Sequence, residues 1–227
     1  MPFLDLAGRV SEIRERISAA TVRGGHGQHV AIVAVTKTHE ADAVQAAFDA
    51  GITDVGENRV QEALRKMPAV TAPVRWHLIG HLQRNKVKSL ANFALLQSLD
   101  SARLADAVSA FGVGQGVRVP VLIQVNVAGE ASKGGYAPDE LPQEADRLRM
   151  LEGLTVRGVM TIAPEGANES ELRAVFGGAR GARDRLRAAG HPAEELSMGM
   201  SGDFEVAVEE GATLIRLGTI LFGARDA

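Results

Sequence analysis

Apolar runs and helical repeats alternate along most of this chain. Eight short apolar segments predict β-strands at residues 30–36, 52–56, 75–80, 93–98, 118–126, 155–161, 195–198 and 212–217. The first segment is almost continuously aliphatic, which is typical of a parallel strand buried on both faces. Eight strands separated by helical segments predict a single (β/α)8 TIM barrel, with a doubly wound open sheet as the alternative. The seventh strand is the weakest of the eight, because it is short and hardly hydrophobic.

An extra helix and several helix ends can also be predicted. Apolar residues recur at intervals of four, three and four from Leu6 to Ile17, which indicates an amphipathic helix over about the first 22 residues. Gly51, Gly190 and Gly211 each follow a helical segment, at positions where a left-handed cap suits glycine.

The chain shows no composition break or long linker, so we expect one domain over residues 1–227. Pro138 and the two acidic residues after it predict the start of a helix, because acidic groups suit the positive end of a helix dipole.

Composition and charge exclude several classes of protein. A chain of 227 residues that is 45% hydrophobic can bury a large core. The formal net charge of -3 gives no overall basic field for binding nucleic acid. The sequence has no cysteine, which excludes disulfides, thiolate metal sites and a cysteine nucleophile. It also shows no targeting segment at its start and no membrane-spanning run, so we expect a soluble, cytoplasmic protein.

Two histidine pairs and one basic segment are weaker candidates for function. His26 and His29 lie in a glycine-rich turn with no third ligand nearby. His77 and His81 are four residues apart, but His77 falls in a predicted strand, so we expect no metal site. The basic residues within 84–88 are interpreted as a solvated helix face rather than as a contact for an acidic partner or nucleic acid.

Lys37 stands directly after the first predicted strand, at the rim where such barrels place their ligands. One interpretation is a solvated side chain, and this stretch alone favours it, since lysines are almost never fully buried without a partner. The other is an amine partly desolvated by the strand behind it, and therefore a nucleophile that condenses with an aldehyde. The rest of the chain favours the second interpretation.

Small residues cluster after the last two strands, where barrels often bind phosphate. Ser197, Gly199, Ser201 and Gly202 precede a helix predicted to start near Asp203, and Gly218 and Thr219 follow the eighth strand. Small residues let backbone amides approach an anion, and hydroxyls add donors. Each segment alone could be a capping turn or a strand exit, but together they predict an anion site.

A phosphate site opposite a strand-one lysine suggests pyridoxal 5'-phosphate (PLP), an aldehyde cofactor that carries a phosphate. Arg216 would then lie between the two. Its guanidinium cannot lose a proton, so a ring nitrogen facing it would stay unprotonated and make the ring a weaker electron sink. The alternative is an ion pair of Arg216 with Glu209 or Glu210 outside the barrel.

Several motifs in order resemble the PLP homeostasis proteins of the YggS/PROSC type, which are similar to the barrel domain of alanine racemase without its β-rich domain. They are AVTKTH, DVGENRVQEA, WHLIGHLQRNK, QVNVAGEASKGG, GVMTIAP and LSMGMSGDFEVAVEEGATLIRLGTILFGAR, and they span nearly the whole chain. The resemblance implies that Lys37 holds the internal aldimine and that Asn58 lies beside the cofactor. It also implies that Met160 packs near the ring and that Arg216 faces the ring nitrogen.

The same resemblance implies a phosphate site and a second lysine. Ser201, Gly218 and Thr219 would hold the phosphate, and Ser197 and Met198 would line the same wall. Lys133 matches the lysine of the family's GEASKGG-like loop and is a hypothetical second lysine that captures or hands on an aldehyde.

Two functions follow as hypotheses. In the first, which the resemblance favours, the protein is a carrier that buffers PLP or delivers it to PLP-dependent apoenzymes. We expect this carrier to be a monomer without robust catalysis, and no catalytic residue is established. The second is an amino-acid racemase, which needs a base on each face of the substrate α-carbon. The opposing tyrosine of alanine racemase comes from the other domain, and the only tyrosine here, Tyr136, matches no such role. Racemisation is therefore the less favoured hypothesis.

Overall fold

Eight parallel strands form a closed barrel in which each strand pairs with its neighbours in chain order. The computed structural model describes residue 3, residues 5–130 and residues 133–223. The strands are β1 Ala31–Val35, β2 Asp54–Glu57, β3 Arg75–Leu78, β4 Leu95–Leu99, β5 Val119–Gln124, β6 Leu154–Met160, β7 Glu195–Ser197 and β8 Leu214–Leu217. All eight predicted strands are present within two residues of their predicted ends, so the barrel is confirmed and the open sheet is wrong.

Helices surround the barrel and connect its strands. They are α1 Leu6–Gly24, α2 Ala41–Asp49, α3 Val60–Lys66, α4 Ala102–Gln115, α5 Leu141–Arg149, α6 Glu169–Ala188, α7 Phe204–Glu209 and α8 Thr219–Phe222, with 3-10 helices at Met67–Ala69 and Arg84–Asn92. The predicted amino-terminal helix is α1, and it is additional to the barrel. Among the described residues, no helix is long and apolar enough to cross a membrane.

Helix ends agree with the predictions at the three glycines but not at Pro138. Gly51, Gly190 and Gly211 all have positive φ angles, as left-handed caps require. Helix α5 begins only at Leu141, and residues 138–140 form a turn before it. Pro142 occupies the first helical turn instead, where its missing N–H has no intrahelical partner to lose.

The apolar core has two layers. Inside the barrel, a small cluster contains Val33, Leu95, Leu122, Met160 and Leu214. A much larger cluster lies between the strands and the surrounding helices. This interior cluster fills the middle of the barrel with apolar side chains.

Strand order brings the predicted site residues to that rim. Strand β1 lies between β2 and β8, and Val33 is in register with Asp54 on one side and with Arg216 on the other. The loops after these three strands therefore meet at the carboxyl end of the barrel. Residues 131 and 132 of the loop after β5, and residues 224 and 225 of the LFGAR motif, lie outside the described residues.

Candidate functional site

A cavity of about 200 Å³ opens at the carboxyl-terminal rim of the barrel. Six of the predicted site residues line it: Lys37, Asn58, Ser201, Arg216, Gly218 and Thr219. They come from the loops after β1, β2 and β7, from β8 and from the segment after β8. The structure thus brings together residues that are up to 182 positions apart in the sequence.

Lys37 supplies the primary amine of this cavity. It stands two residues after the end of β1, and its side chain is half-buried. Within the described part of the chain, its amine has no hydrogen bond and no ion pair. An amine without a protein partner inside a cavity is available to a ligand.

Backbone N–H groups and a hydroxyl face the cavity from the loops after β7 and β8. Gly218 and Thr219, which line the cavity, donate no backbone hydrogen bond to any residue that the structure describes. The hydroxyl oxygen of Ser201 accepts a hydrogen bond from the N–H of Ile220 at 3.3 Å, which ties the two loops together. Helix α8 has only four residues, so the individual N–H groups, rather than a long helix dipole, would attract an anion.

Arg216 places a buried guanidinium at the floor of the cavity. Its Nη1 donates to the hydroxyl of Ser197 at 2.7 Å, and its Nη2 donates to the carbonyl of Thr161 at 2.9 Å. A guanidinium has five N–H donors, so others remain for a ligand. Burial lowers the pKa of Arg216 to about 10, although the charge of Asp203 acts in the opposite direction.

The charge of Arg216 has no carboxylate in direct contact among the described residues. The alternative ion pair with Glu209 or Glu210 is wrong, because Arg216 lies inside the barrel. Those two glutamates instead pair with Arg23, Arg173 and Arg180. The cavity therefore combines two cationic side chains with free N–H donors, a set that suits an anionic ligand.

A chain of hydrogen bonds runs from Arg216 through the barrel interior. Ser197 accepts from Arg216 and donates to Oε1 of Gln97 at 2.6 Å. The Gln97 amide nitrogen then faces Nδ1 of His77 at 2.8 Å, and Nε2 of His77 faces Asp54 at 2.9 Å. With the Gln97 amide in this orientation, its nitrogen donates to Nδ1 of His77, so the His77 proton is assigned to Nε2, facing Asp54.

Asp54 closes this chain at the amino-terminal end of the barrel. Arg75 donates to both of its carboxylate oxygens, at 2.8 and 2.6 Å. Desolvation by burial acts to raise the pKa of Asp54, but hydrogen bonds from His77 and Arg75 outweigh it and lower the pKa to about 2. The guanidinium at the ligand end is thus positioned by a network that ends in a buried carboxylate.

Three predicted residues lie beneath or behind the cavity rather than on its wall. Met160 belongs to the apolar cluster inside the barrel, and Ile162, two residues further along, lies on the cavity wall instead. Ser197 is fully buried and acts through Arg216. Met198 packs in the core between strands and helices, because alternate residues of a strand face opposite sides.

Lys133 lies outside the set of residues that line the cavity. Its amine contacts the carboxylate of Glu130 and donates to the carbonyl of Ala163 at 3.0 Å. Its side chain keeps 28% of its surface exposed, so the amine is tethered at the rim rather than enclosed. The role predicted for it requires a change of partner.

The backbone of Asn58 lies directly against Gly80, which has no side chain. A Cβ atom on Gly80 would lie 2.3 Å from the carbonyl oxygen of Asn58 and 2.8 Å from its Cα. The segment after β3 therefore passes close to the Asn58 backbone only because residue 80 is glycine. This close approach fixes the loop after β2 against the rim.

Several wall residues were not predicted from the sequence. They are Val35, His39, Ile79, Ile162, Met200 and Gly223. His39 also packs against Phe222, with ring centroids 5.1 Å apart, so it joins the loop after β1 to α8. Position along the chain was the available sequence signal: Ile79 is the first residue after β3, and Ile162 is the second residue after β6.

The fold and the rim together define an α/β barrel of the alanine racemase type. The family model described as alanine racemase, N-terminal domain, matches residues 10–226. A protein of Aquifex aeolicus named pyridoxal phosphate homeostasis protein is 42% identical over 221 residues, which cover 96% of this chain and 97% of that protein. The chain belongs to this family of pyridoxal phosphate homeostasis proteins.

Solved structures agree with this assignment. PipY of Synechococcus elongatus PCC7942, solved with PLP bound, matches with a TM-score of 0.86 at 35% identity, covering 96% of this chain and 100% of that chain. Alanine racemase of Clostridium difficile 630 matches with a TM-score of 0.71 at 17% identity, covering 94% of this chain and 57% of that one. The second likeness shows a shared fold only.

Proposed function

We propose that this chain binds PLP in the rim cavity, holds it through a Schiff base with Lys37, and acts in PLP homeostasis by buffering or delivering the cofactor. One observation carries the proposal: an amine without a protein partner shares a cavity with a buried guanidinium and free N–H donors. When PLP is bound, its aldehyde supplies the group that condenses with an amine, with release of one water.

Each half of such a ligand finds a matching set of groups. Arg216 would donate to the ring nitrogen with N–H groups that its protein partners leave free. Ser201, Gly218 and Thr219 would hold the phosphate, and Asn58 would lie beside the ring. Met160, Ser197 and Met198 would support the cavity from below and behind.

A carrier is favoured over a racemase by the position of Tyr136. Its hydroxyl donates to Glu144 at 3.0 Å, and burial, with the nearby negative charge, raises its pKa. A phenol that is buried and bonded to a carboxylate is a poor base for removing a proton from a substrate. We therefore infer little turnover of amino acids and designate no catalytic residue.

The proposal includes a monomeric, cytoplasmic protein with one PLP-binding domain over residues 1–227, and PLP-dependent apoenzymes as recipients.

The test of the proposed function is to mix the PLP-loaded protein with a PLP-dependent apoenzyme and to measure the recovered activity of that enzyme. We expect recovery from the wild-type protein and none above background from Lys37→Ala taken through the same loading. Racemisation of an amino acid at an ordinary enzymatic rate, on the order of 1 to 1,000 per second, would instead establish the racemase.

A further inference from the structure

The two peptide groups that flank Lys37 are both bonded to one cluster of charged side chains. The carbonyl of Thr36, before Lys37, accepts a hydrogen bond from Nζ of Lys66 at 2.7 Å. The N–H of Thr38, after Lys37, donates to Oε1 of Glu62 at 2.5 Å. The backbone of Lys37 is thus held from both sides by residues of α3.

A third side chain completes the cluster, which we call the clasp: Glu57, Glu62 and Lys66. Nζ of Lys66 lies 2.7 Å from Oε1 of Glu57 and 2.8 Å from Oε1 of Glu62. Glu57 also accepts a hydrogen bond of 2.6 Å from the hydroxyl of Thr36. All three N–H donors of Lys66 are therefore used, two by the carboxylates and one by the backbone beside Lys37.

The burial of the clasp is unusual. Lys66 is 1% exposed and Glu57 is fully buried, although lysine and glutamate are almost never fully buried unless they are paired. Oε2 of Glu57 has no hydrogen-bond partner among the described residues. Apolar residues of similar size often stabilise a folded protein as well as a buried ion pair does. These buried charges therefore suggest a role in fixing the local backbone geometry rather than in stability alone.

The backbone that the clasp holds is itself strained. Thr38 has a φ of 69°, in the left-handed region that β-branched residues rarely adopt. Such a conformation persists only where the surroundings impose it, and strained residues concentrate at functional sites. The hydrogen bond from Thr38 to Glu62 supplies that restraint one residue from the amine-bearing Lys37.

We propose that Glu62 and Lys66 are positioning residues that hold the backbone of Lys37 so that its amine points into the rim cavity. This inference rests on the proposed role of Lys37 in binding PLP. Neither residue lines the cavity, and within the described residues neither contacts the amine of Lys37. They act through the peptide groups on each side of it.

The test compares Glu62→Ala with Glu62→Gln, which keeps an oxygen that can accept from Thr38. Arg65→Ala is the matched control, because Arg65 lies on the same helix in an exposed pair with Glu40. Amide hydrogen exchange of Thr38 is measured in the cofactor-free protein, and PLP binding is measured by visible absorbance. We expect Glu62→Ala to speed the exchange and weaken binding, each on the order of tenfold, with Glu62→Gln and Arg65→Ala near wild type.

Lys66→Met provides a second probe, since it frees the carbonyl of Thr36 at the other side of Lys37. Unchanged exchange of the Thr38 amide in Glu62→Ala would contradict the claim that the clasp restrains this backbone. Faster exchange with unchanged PLP binding would contradict its positioning role. If the wild-type protein bound no PLP, the proposed function would fail. The exchange data would still show separately whether the clasp holds this turn.

Discussion

Ser197 on β7 and Gln97 on β4 are joined across the barrel interior by a hydrogen bond of 2.6 Å. These residues are 100 positions apart, and their bond links the guanidinium of Arg216 to the buried pair of His77 and Asp54. Arg216 donates to Ser197, Ser197 donates to Gln97, and the Gln97 amide nitrogen donates to His77. The Arg216 guanidinium at the floor of the cavity is therefore held in one orientation before any ligand binds.

Replacing Gln97 with leucine should break this link while keeping a side chain of similar size. Ser197 and His77 would each lose a buried partner. We expect the free energy of unfolding to fall by about 1–3 kcal/mol and PLP binding to weaken, because Arg216 would be held less firmly. Urea unfolding and absorbance titration measure the two effects. Gln45→Leu, on the outer helix α2, is the control, and equal losses in the two variants would contradict this account.

The low pKa of Asp54 predicts a specific pH dependence of stability. The pKa in the folded protein is about 2, below the ordinary value of 3.8, so the stabilisation is present above pH 4 and is lost as the pH falls through 2. The shift corresponds to about 2 kcal/mol. We expect the free-energy advantage of the wild type over Asp54→Asn to shrink by this amount between pH 4 and pH 2, as measured by denaturant unfolding. A constant advantage across this range would show that Asp54 does not have the low pKa.

Gly80→Ala should disturb Asn58, since the added Cβ would lie 2.3 Å from its carbonyl oxygen. The backbone must shift to relieve this overlap, at a cost of about 1–3 kcal/mol in unfolding free energy, and PLP affinity should fall with it. The control is Gly181→Ala, in the interior of α6 with no atom within 4 Å of the added Cβ. That change should stabilise the protein by about 0.5–1 kcal/mol. Thermal unfolding of both variants decides between the two signs.

Lys133→Ala tests the hypothesis of a second lysine. Because Lys133 lies outside the cavity wall, the variant should bind PLP at Lys37 as the wild type does. Transfer of PLP to an apoenzyme should become slower if the amine of Lys133 receives the aldehyde on its way out. Lys88→Ala, an exposed lysine on the 3-10 helix, is the control. Comparable transfer rates in the wild type and in Lys133→Ala would eliminate this role.

Periodicity in the sequence was enough to predict the barrel. Fully buried parallel strands such as β1 are continuously apolar, and their spacing leaves room for one helix each. Strand order then placed Lys37 and Arg216 at one rim without any knowledge of side-chain contacts. Even β7, with three residues, was found, because a closed barrel needs an eighth strand.

The polar interior could not be predicted in the same way. From the sequence, a lysine on a short helix such as Lys66 is expected at the surface. Its burial is explained only by its partners, Glu57 in β2 and Glu62 in α3. Gln97 and His77 fall inside strands, where a polar residue gives no sign of which side chain it will meet. Such contacts depend on pairs that are distant in the sequence, and a local pattern does not contain them.

The most direct test of the central claim is the visible absorption spectrum of the protein mixed with PLP, before and after borohydride reduction, with Lys37→Ala beside it. The account predicts a yellow band in the wild type that reduction removes, with the label left on Lys37 and no such band in the variant. A wild-type protein that stays colourless, or a label on another lysine, would contradict the assignment of Lys37 as the cofactor lysine.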